Sequence, residues 1–398
     1  MKTYKCFVSM ALVLLLLLCM LSGCSSGASG KSPRPSRPKL TTRSEPALSQ
    51  PEKVAETTAS TELTQPQGTT SLSQPIPKLT TLTALRDYMN TQVDSGTLDF
   101  SFYYTRGGLL TARQLAQILN CCYIDCSWKG NLHHVTVTEY PGDRMVDAWI
   151  NANRSGLTET ESQVLDYALD LVQNWTADTS DPWELELLVH DFLAEHILYT
   201  DANVDFDGAN NVPRELTAIG ALQDGRANCQ GYVDAFYLLA TLAGLQVDRM
   251  SVQAPYGGHM VNTVLLDDQW YIVDVTYDDM DEASSLNYYL FNVGTDRIRE
   301  YSWTPEMEYR PIADKTDDAF YYAHQGTLFD NPQTAASYVA QNWDGGEDCF
   351  QFAVQWQAED QPMNDALYDA LMDTGNPFYY TYWYYSDGTD MYFTLFLE

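Results

Sequence analysis

From residue 79 onward the apolar positions alternate between helical and strand periods. Leu85, Tyr88, Met89 and Val93 keep the spacing of one helix face, and Phe100, Phe102 and Tyr104 then alternate as a half-buried strand does. Leu115, Ile118 and Leu119 predict a second helix after Thr111. Tyr123 to Ser127 and Leu132 to Tyr140 flank a Lys129-Gly130-Asn131 turn, which predicts a hairpin. The last eighty or so residues repeat this order. Tyr338, Trp343, Asp344, Gly346, Phe350, Phe352 and Val354 fall 250 positions after Tyr88, Val93, Asp94, Gly96, Phe100, Phe102 and Tyr104. Leu367 and Leu371 mark a second helix there, and a hairpin from Phe378 to Leu397 turns at Asp387-Gly388. Two copies of one small α/β module are therefore expected to bracket a middle domain.

In the middle, Leu157 to Trp175 predicts a helix with Val164, Leu165, Ala168, Leu171 and Val172 on one side. The next begins at Asp181-Pro182-Trp183-Glu184, where Asp caps, Pro suits the first helical position and Glu reaches back to the cap. Leu185, Leu188, Val189 and Phe192 line its apolar face. Arg226-Ala227-Asn228-Cys229-Gln230-Gly231-Tyr232 leads into Val233, Phe236, Leu239, Leu242 and Ala243, an apolar helical stripe closed by Gly244. Strands follow over Gly257 to Leu265 and Trp270 to Thr276, joined by an Asp267-Asp268-Gln269 turn.

The first residues change the picture of where such a protein works. Lys2 and Lys5 precede an apolar run from Phe7 to Leu21, ending in Leu21-Ser22-Gly23-Cys24; this is the layout of a bacterial secretory signal. Leu-Ser-Gly-Cys resembles the lipobox at which lipoprotein signals are cleaved and the cysteine acylated, which makes Cys24 the expected lipidation site; an ordinary signal peptide or anchor is the alternative. From Ser25 to about Lys78, Ser, Thr, Pro and Gln dominate, a composition that cannot bury enough apolar surface to offset ordering entropy, so a disordered tether is expected. The organisation read from the chain is a signal over 1–23, lipidated Cys24 and tether over 24–78, a small module over 79–150, a middle domain over 151–312 and a second module over 313–398. The expected location is extracytoplasmic, anchored to the membrane by lipid.

The chain carries 54 Asp and Glu against 22 Lys and Arg, a formal net charge of −32, and every acidic residue lies beyond Arg43. Nucleic acid is excluded as a partner, because such binding depends on basic contacts to phosphate. Lys31, Arg34, Arg37, Lys39 and Arg43 stand without acidic neighbours, and this early stretch can rest on anionic headgroups or serve only as a spacer.

Of eight cysteines, Cys6 and Cys19 leave with the signal and Cys24 would carry lipid, leaving Cys121, Cys122, Cys126, Cys229 and Cys349. An odd number in an exported protein points to a reactive thiol. Cys229 falls at the start of an apolar helix, where unpaired amides and the positive helix end stabilise a thiolate. His259 lies on the first of two antiparallel strands and Asp274 on the second, so the carboxylate can hold the ring by one nitrogen while the other faces the thiol.

Gly220-Ala221-Leu222, Gly225 and Cys229-Gln230-Gly231-Tyr232 with Ala235-Phe236 are similar to the cysteine segment of bacterial transglutaminase-like domains. Gly258-His259 with Asn262, and Trp270-Tyr271 with Val273-Asp274-Val275-Thr276-Tyr277-Asp278-Asp279, resemble that family's histidine and aspartate segments; Tyr288 to Val293 followed by Trp303 resembles the end of such domains. The resemblance covers about a third of the chain, Pro182 to Trp303. It implies an α+β protein whose papain-like core of helices on an antiparallel sheet sits between the two repeated α/β modules. It also implies acyl transfer through a thioester, with Cys229 as nucleophile, His259 as acid and base, and Asp274 orienting the ring. The oxyanion would be held by the Cys229 amide and one further donor; Gln223, six residues upstream, lies where papain-like proteases keep a glutamine. Met260-Val261 after the histidine and Gln230 after the cysteine depart from the pattern and bear on the acceptor.

Other clusters are weaker. Cys121-Cys122, Cys126 and His133-His134 match no standard zinc spacing, so no metal is assigned, and no cofactor. Asn203, Asp205, Asp207 and Gly208 imitate the start of a calcium loop, but its twelfth position is Arg214. Three function classes stand: a hydrolase or transferase on peptide or amide bonds of a surface protein or cell-wall peptide, a surface binding or scaffolding lipoprotein with a residual triad, and a protein crosslinker.

Overall fold

The computed structural model describes residues 75–105, 109–119, 122–200, 212–255, 257–279, 286–305, 312–345, 348–355, 363–375, 380–386 and 390–397. The signal sequence, Cys24 and the tether up to residue 74 lie outside them, as do Cys121, the calcium-like stretch at 203–208 and the Asp387-Gly388 turn. The chain divides at Pro75 into two units, and every element below belongs to Ile76–Glu398. The architecture is α+β; the described residues form three sheets of four, five and four strands and a short two-stranded pair.

The first sheet holds β1 (Lys78–Leu79), β2 (Asp99–Tyr104), β3 (Cys122–Lys129) and β4 (Leu132–Glu139) in the order β1-β2-β4-β3. Helices α1 (Leu82–Asp94) and α2 (Ala112–Leu119) cover one face, burying Leu85, Met89, Leu115 and Ile118 against Phe100, Phe102, Val135 and Val137. At the far end of the chain, β12 (Leu328–Phe329), β13 (Asp348–Gln355), β14 (Tyr380–Ser386) and β15 (Asp390–Leu397) adopt the corresponding order β12-β13-β15-β14, with helices Pro332–Asn342 and Met363–Asp373 in the equivalent places.

The correspondence extends to register. Lys78 pairs in parallel with Tyr103, and Leu328 with Ala353, each 250 positions later. Thr81 and Asn331 cap the first helix of each set through a side-chain oxygen. Tyr88 meets Phe100 edge-on at 5.8 Å, and Tyr338 meets Phe350 edge-on at 6.1 Å.

Between them lies an antiparallel sheet in the order β10-β9-β8-β7-β11: β7 (Gln246–Ala254), β8 (Gly257–Leu266), β9 (Gln269–Val273), β10 (Phe291–Val293) and β11 (Thr304–Pro305). Helices α3 (Pro141–Ile150), α4 (Glu159–Asp178), α5 (Pro182–His196) and α6 (Cys229–Leu242) precede it, with β5 (Leu198–Tyr199) and β6 (Arg226–Ala227) paired in parallel between α5 and α6. A one-turn helix, α7 (Val275–Asp278), follows β9, and α8 (Thr295–Glu300) follows β10. α6 is apolar nearly all round, and Tyr232, Ala235, Phe236, Leu238 and Leu239 are buried, as befits a helix enclosed by other elements.

Three local expectations need correction. The strand expected over Trp270 to Thr276 ends at Val273, because the Asp274 side chain accepts from the Tyr277 amide and starts α7 instead. Glu184 does not reach back to Asp181; its carboxylate accepts from the Thr179 hydroxyl, which itself accepts from the Asp181 amide. The buried face of α5 is rotated from the apolar stripe, so that Glu186 and His190 are enclosed while Leu188 and Phe192 are half-buried. α3, beginning at Pro141, was not anticipated.

The flanking sheets join the middle by different surfaces. At the first, Tyr123, Tyr140 and Leu216 form a small cluster, with the Tyr123 hydroxyl donating to the Leu216 carbonyl. At the last, Tyr392 stands 4.6 Å from Tyr289 and 5.4 Å from Tyr322, and Gln351 donates to the Leu286 carbonyl.

Candidate active site

Cys229 is the first residue of α6 and is half-buried. The helix starts there because Asn228 is extended and its Oδ1 accepts from the amides of Gln230 at 3.0 Å and Gly231 at 3.3 Å. That cap leaves the Cys229 amide outside its bonds. Asn228 is itself held, its N–H donating to the Glu215 carbonyl at 3.0 Å. The same carbonyl explains Gly231: a Cβ there would come within 2.4 Å of it and 2.8 Å of Ala227 Cβ. Sequence has placed a glycine where the helix start passes against the preceding turn, and this fixes where the sulfur points.

His259 and Asp274 meet without being cross-strand partners. The β8–β9 register pairs Asn262 with Val273, so β9 has ended before it could run opposite His259. The turn into α7 swings the Asp274 carboxylate toward the ring, and His259 Nε2 lies 2.6 Å from Asp274 Oδ2. Both residues are buried, at 6 % and 2 % exposure. Asp274 Oδ1 accepts from the Tyr277 amide at 3.2 Å, so both carboxylate oxygens are occupied.

Cys229 is near enough to act on the same imidazole, its side chain being among the causes that raise the His259 pKa. Burial alone would push the His259 pKa down. The Asp274 charge and hydrogen bond outweigh burial, Cys229 adds to them, and the ring is pushed up to about 10. At neutral pH it is an imidazolium, the protonation state that supports a thiolate nucleophile and can deliver a proton to a leaving amine.

An aromatic wall closes one side. Trp303 packs 5.0 Å from the His259 ring, Tyr277 lies 5.1 Å from Trp303, and Tyr301 stands 5.6 Å from Tyr277. Trp303 is buried and lowers the polarity around the His259–Asp274 bond, which strengthens it. On the other side Gln230 Nε2 donates to the Tyr140 hydroxyl at 3.0 Å, tying the second residue of α6 to the segment before α3.

Gln223 is exposed on the single π-helical turn Gly220–Asp224, its Oε1 accepting from Arg214 Nη2 at 2.8 Å. Among the described residues no bond joins it to Cys229 or His259. His133 Nε2 accepts from the Leu110 amide, whereas His134, on the opposite sheet face, approaches Ser101 and Asp99. Cys126 is a free thiol, pushed up to about 12 by burial and the Asp125 charge.

Sequence reasoning missed the buried polar residues that frame α6. Arg249 is 3 % exposed, donates to Asp234 Oδ1 at 2.8 Å and Asp143 Oδ1 at 3.1 Å, and stacks 3.8 Å above Tyr237. Asp234 also accepts from the amides of Ala218 and Gly142, and a Cβ on Gly142 would meet Asp234 Oδ1 at 2.4 Å. Behind Asp274, His190 and Asp278 form a second buried pair, and Glu186 accepts from Asn292 Nδ2 at 2.9 Å. Glu186 and His190 stand four apart within a helix, and that spacing was the available signal.

No family model and no curated protein matches the chain. Among solved structures, it is similar to a TGase at 14 % identity, over 53 % of this chain and 61 % of that one, with a TM-score of 0.26. It is also similar to a protein of Parabacteroides distasonis named as a putative protease, at 8 % identity, over 75 % of this chain and 65 % of that one, with a TM-score of 0.23. The chain thus spans about three fifths of the length of these structures. The chemistry of the site rests on its own geometry.

Proposed function

We propose that this protein is a thiol acyl-transfer enzyme of transglutaminase-like type, with a papain-like core, acting on peptide or amide bonds. The observation that carries the reading is the buried 2.6 Å contact of His259 with Asp274 on a ring whose pKa is also raised by Cys229, at the first position of a helix. In the reaction, Cys229 Sγ attacks the amide carbonyl, and the oxyanion takes a hydrogen bond from the Cys229 amide. His259 gives its Nδ1 proton to the departing amine, leaving a thioester on Sγ. His259 then takes a proton from water, whose oxygen attacks the thioester and frees the acid, with Cys229 leaving as the thiolate beside the restored imidazolium. Asp274 keeps Nε2 engaged throughout, so that Nδ1 stays aimed at sulfur. Hydrolysis is favoured over crosslinking because water is abundant and no amine site is specified. Gln223, six residues before Cys229, is the proposed second oxyanion donor on its place in the chain, although its oxygen accepts from Arg214.

The substrate proposed is an exported protein or cell-wall peptide, and the flanking modules are read as two copies of one binding or supporting unit. Location outside the cytoplasm, with a lipid on Cys24, belongs to the same proposal and rests on the sequence. The experiment is alkylation of Cys229 by iodoacetamide at pH 7, in the wild type and in His259→Ala. Rapid labelling that slows in the variant supports the enzyme; sluggish labelling indifferent to the variant sinks it. Ammonia release with incorporation of a labelled amine into a glutamine substrate would favour transfer over hydrolysis.

A further inference from the structure

His190 and Asp278 are fully buried and stand outside the Cys229, His259 and Asp274 set. His190 Nε2 lies 3.2 Å from Asp278 Oδ2, and its Nδ1 lies 3.0 Å from Asp191 Oδ1. Asp278 ends the one-turn helix that Asp274 caps, so one histidine–carboxylate pair sits directly behind the other. A single residue, Leu290, links the two carboxylate residues through its two backbone groups. The Leu290 amide donates to Asp278 Oδ1 at 3.1 Å, and the Leu290 carbonyl accepts from the Asp274 amide at 3.0 Å. The Asp274 carbonyl in turn accepts from the amides of Tyr277 and Asp278, at 3.2 Å each.

A buried ionic pair seldom improves on apolar packing as a source of stability, so its presence here asks for another role. We infer that His190 and Asp278 are positioning residues for Asp274: the pair fixes the backbone of Leu290 through its amide, the Leu290 carbonyl fixes the Asp274 amide, and the carboxylate is thereby aimed at His259 Nε2. The inference rests on the thiol reading proposed above.

The charges around the pair agree with this role. Burial alone would push His190 down, but its bonds to Asp191 and Asp278 and their charges raise it to about 9, so it remains a cation at neutral pH. Glu186 lies one turn earlier on the same helix, Tyr288 stacks on the ring at 5.1 Å, and Tyr322 and Asp274 feel or impose charge at Asp278. Burial pushes Asp278 up to about 6, and the His190 bond and charge work against that shift. Without the imidazolium, an ionised Asp278 would stand one helical turn from the Asp274 carboxylate with its repulsion uncompensated.

The test compares Asp278→Ala with Asp278→Asn, because only the asparagine keeps an oxygen for the Leu290 amide. Two properties are read in each folded variant: the pH at which His259 loses its proton, by ¹⁵N-histidine NMR, and the rate of Cys229 alkylation by iodoacetamide at pH 7. Asp278→Ala is expected to lower the His259 titration and slow alkylation about tenfold, whereas Asp278→Asn stays within about threefold of wild type. Wild-type titration and reactivity in Asp278→Ala would overturn the inference while leaving the thiol reading intact; equal damage in both variants would overturn it too. If wild-type Cys229 reacts no faster than in His259→Ala, the thiol reading falls and the inference with it. Should Asp278→Ala fail to fold, hydrogen exchange in the wild type decides, since the Asp274 and Leu290 amides must then open together, and unequal protection factors would overturn the role assigned.

Discussion

His259 Nε2 and Asp274 Oδ2 are 2.6 Å apart although their strands do not place them opposite each other. The contact exists because β9 stops at Val273 and the following turn carries the carboxylate sideways. Asp274→Asn should therefore cost the most of any change outside Cys229 and His259, lowering amide turnover by roughly 10²- to 10⁴-fold with little change in secondary structure. Steady-state kinetics with circular dichroism would check it; a variant keeping a tenth or more of wild-type turnover would count against Asp274 as the orienting group.

The pH dependence follows from the same bond. His259 must hold a proton to give to the leaving amine, and its pKa is raised to about 10, so turnover should fall as pH rises through that value. The contribution to folding has the same direction. A histidine whose folded pKa lies above its unfolded value, about 6.5, adds stability that is complete below about 6.5 and is lost as pH rises through about 10. Urea melts of wild type and His259→Ala across this window should converge at the alkaline end; a constant difference would contradict the assignment.

Gly231→Ala tests the start of the nucleophile helix. Its Cβ would sit 2.4 Å from the Glu215 carbonyl, which is backbone and cannot turn away. Overpacking of this kind typically costs about 1–3 kcal/mol. The loss should appear in urea denaturation together with slower Cys229 alkylation, because the same displacement moves the sulfur. Unchanged stability would mean that the turn before the helix yields freely.

Arg249 holds two carboxylates, buried Asp234 and half-buried Asp143, apart from each other and joined to itself. Arg249→Met should destabilise the protein by about 3–5 kcal/mol, since Asp234 and Asp143 would lose their cation inside the fold. Adding Asp234→Asn to that variant should restore part of the loss, and denaturation of the single and double variants measures it. Additive losses would show that the cluster does not act as one.

Glu186 predicts an unusual gain. Its Oε2 accepts from Asn292, while its Oε1 and the Asn292 Oδ1 are buried without a partner among the described residues. Burial raises Glu186 to about 8, so the folded protein keeps the proton that the unfolded chain releases above about 4.5, and stability from this group declines as pH rises from about 4.5 to about 8. Glutamine in its place can donate to Asn292 Oδ1 at any pH. Glu186→Gln should thus be more stable than wild type at pH 8 by roughly 1 kcal/mol or more, with the gap closing near pH 4.5. A destabilised variant at pH 8 would show that the carboxylate is needed ionised.

The residues of the site that were legible in the sequence are those governed by local rules. The apolar stripe from Val233 to Ala243, closed by Gly244, marked the helix that presents Cys229. Asp267 and Asp268, both with positive φ, made the turn between the strands readable. Asp274 was legible as a residue but not in its setting. The β-branched Val275 and Thr276 argued for continued strand, and the capping bond to Tyr277 prevailed over that propensity. Asp278, Arg249 and Asp143 stayed hidden, because the bonds of Asp278 to His190 and of Arg249 to Asp234 and Asp143 span 15 to 106 positions and no spacing announces such a bond.

Tyr140, Gly142 and Asp143 bear on how the middle of the protein could be borrowed. Each reaches the nucleophile helix or its cation: Tyr140 through Gln230, Gly142 through Asp234, Asp143 through Arg249. A cassette cut at residue 151 for grafting into another protein would leave a buried arginine half matched and a glutamine beside the nucleophile with nothing to hold. The transplantable piece begins before Tyr140, and the connector behind the first sheet travels with the chemistry.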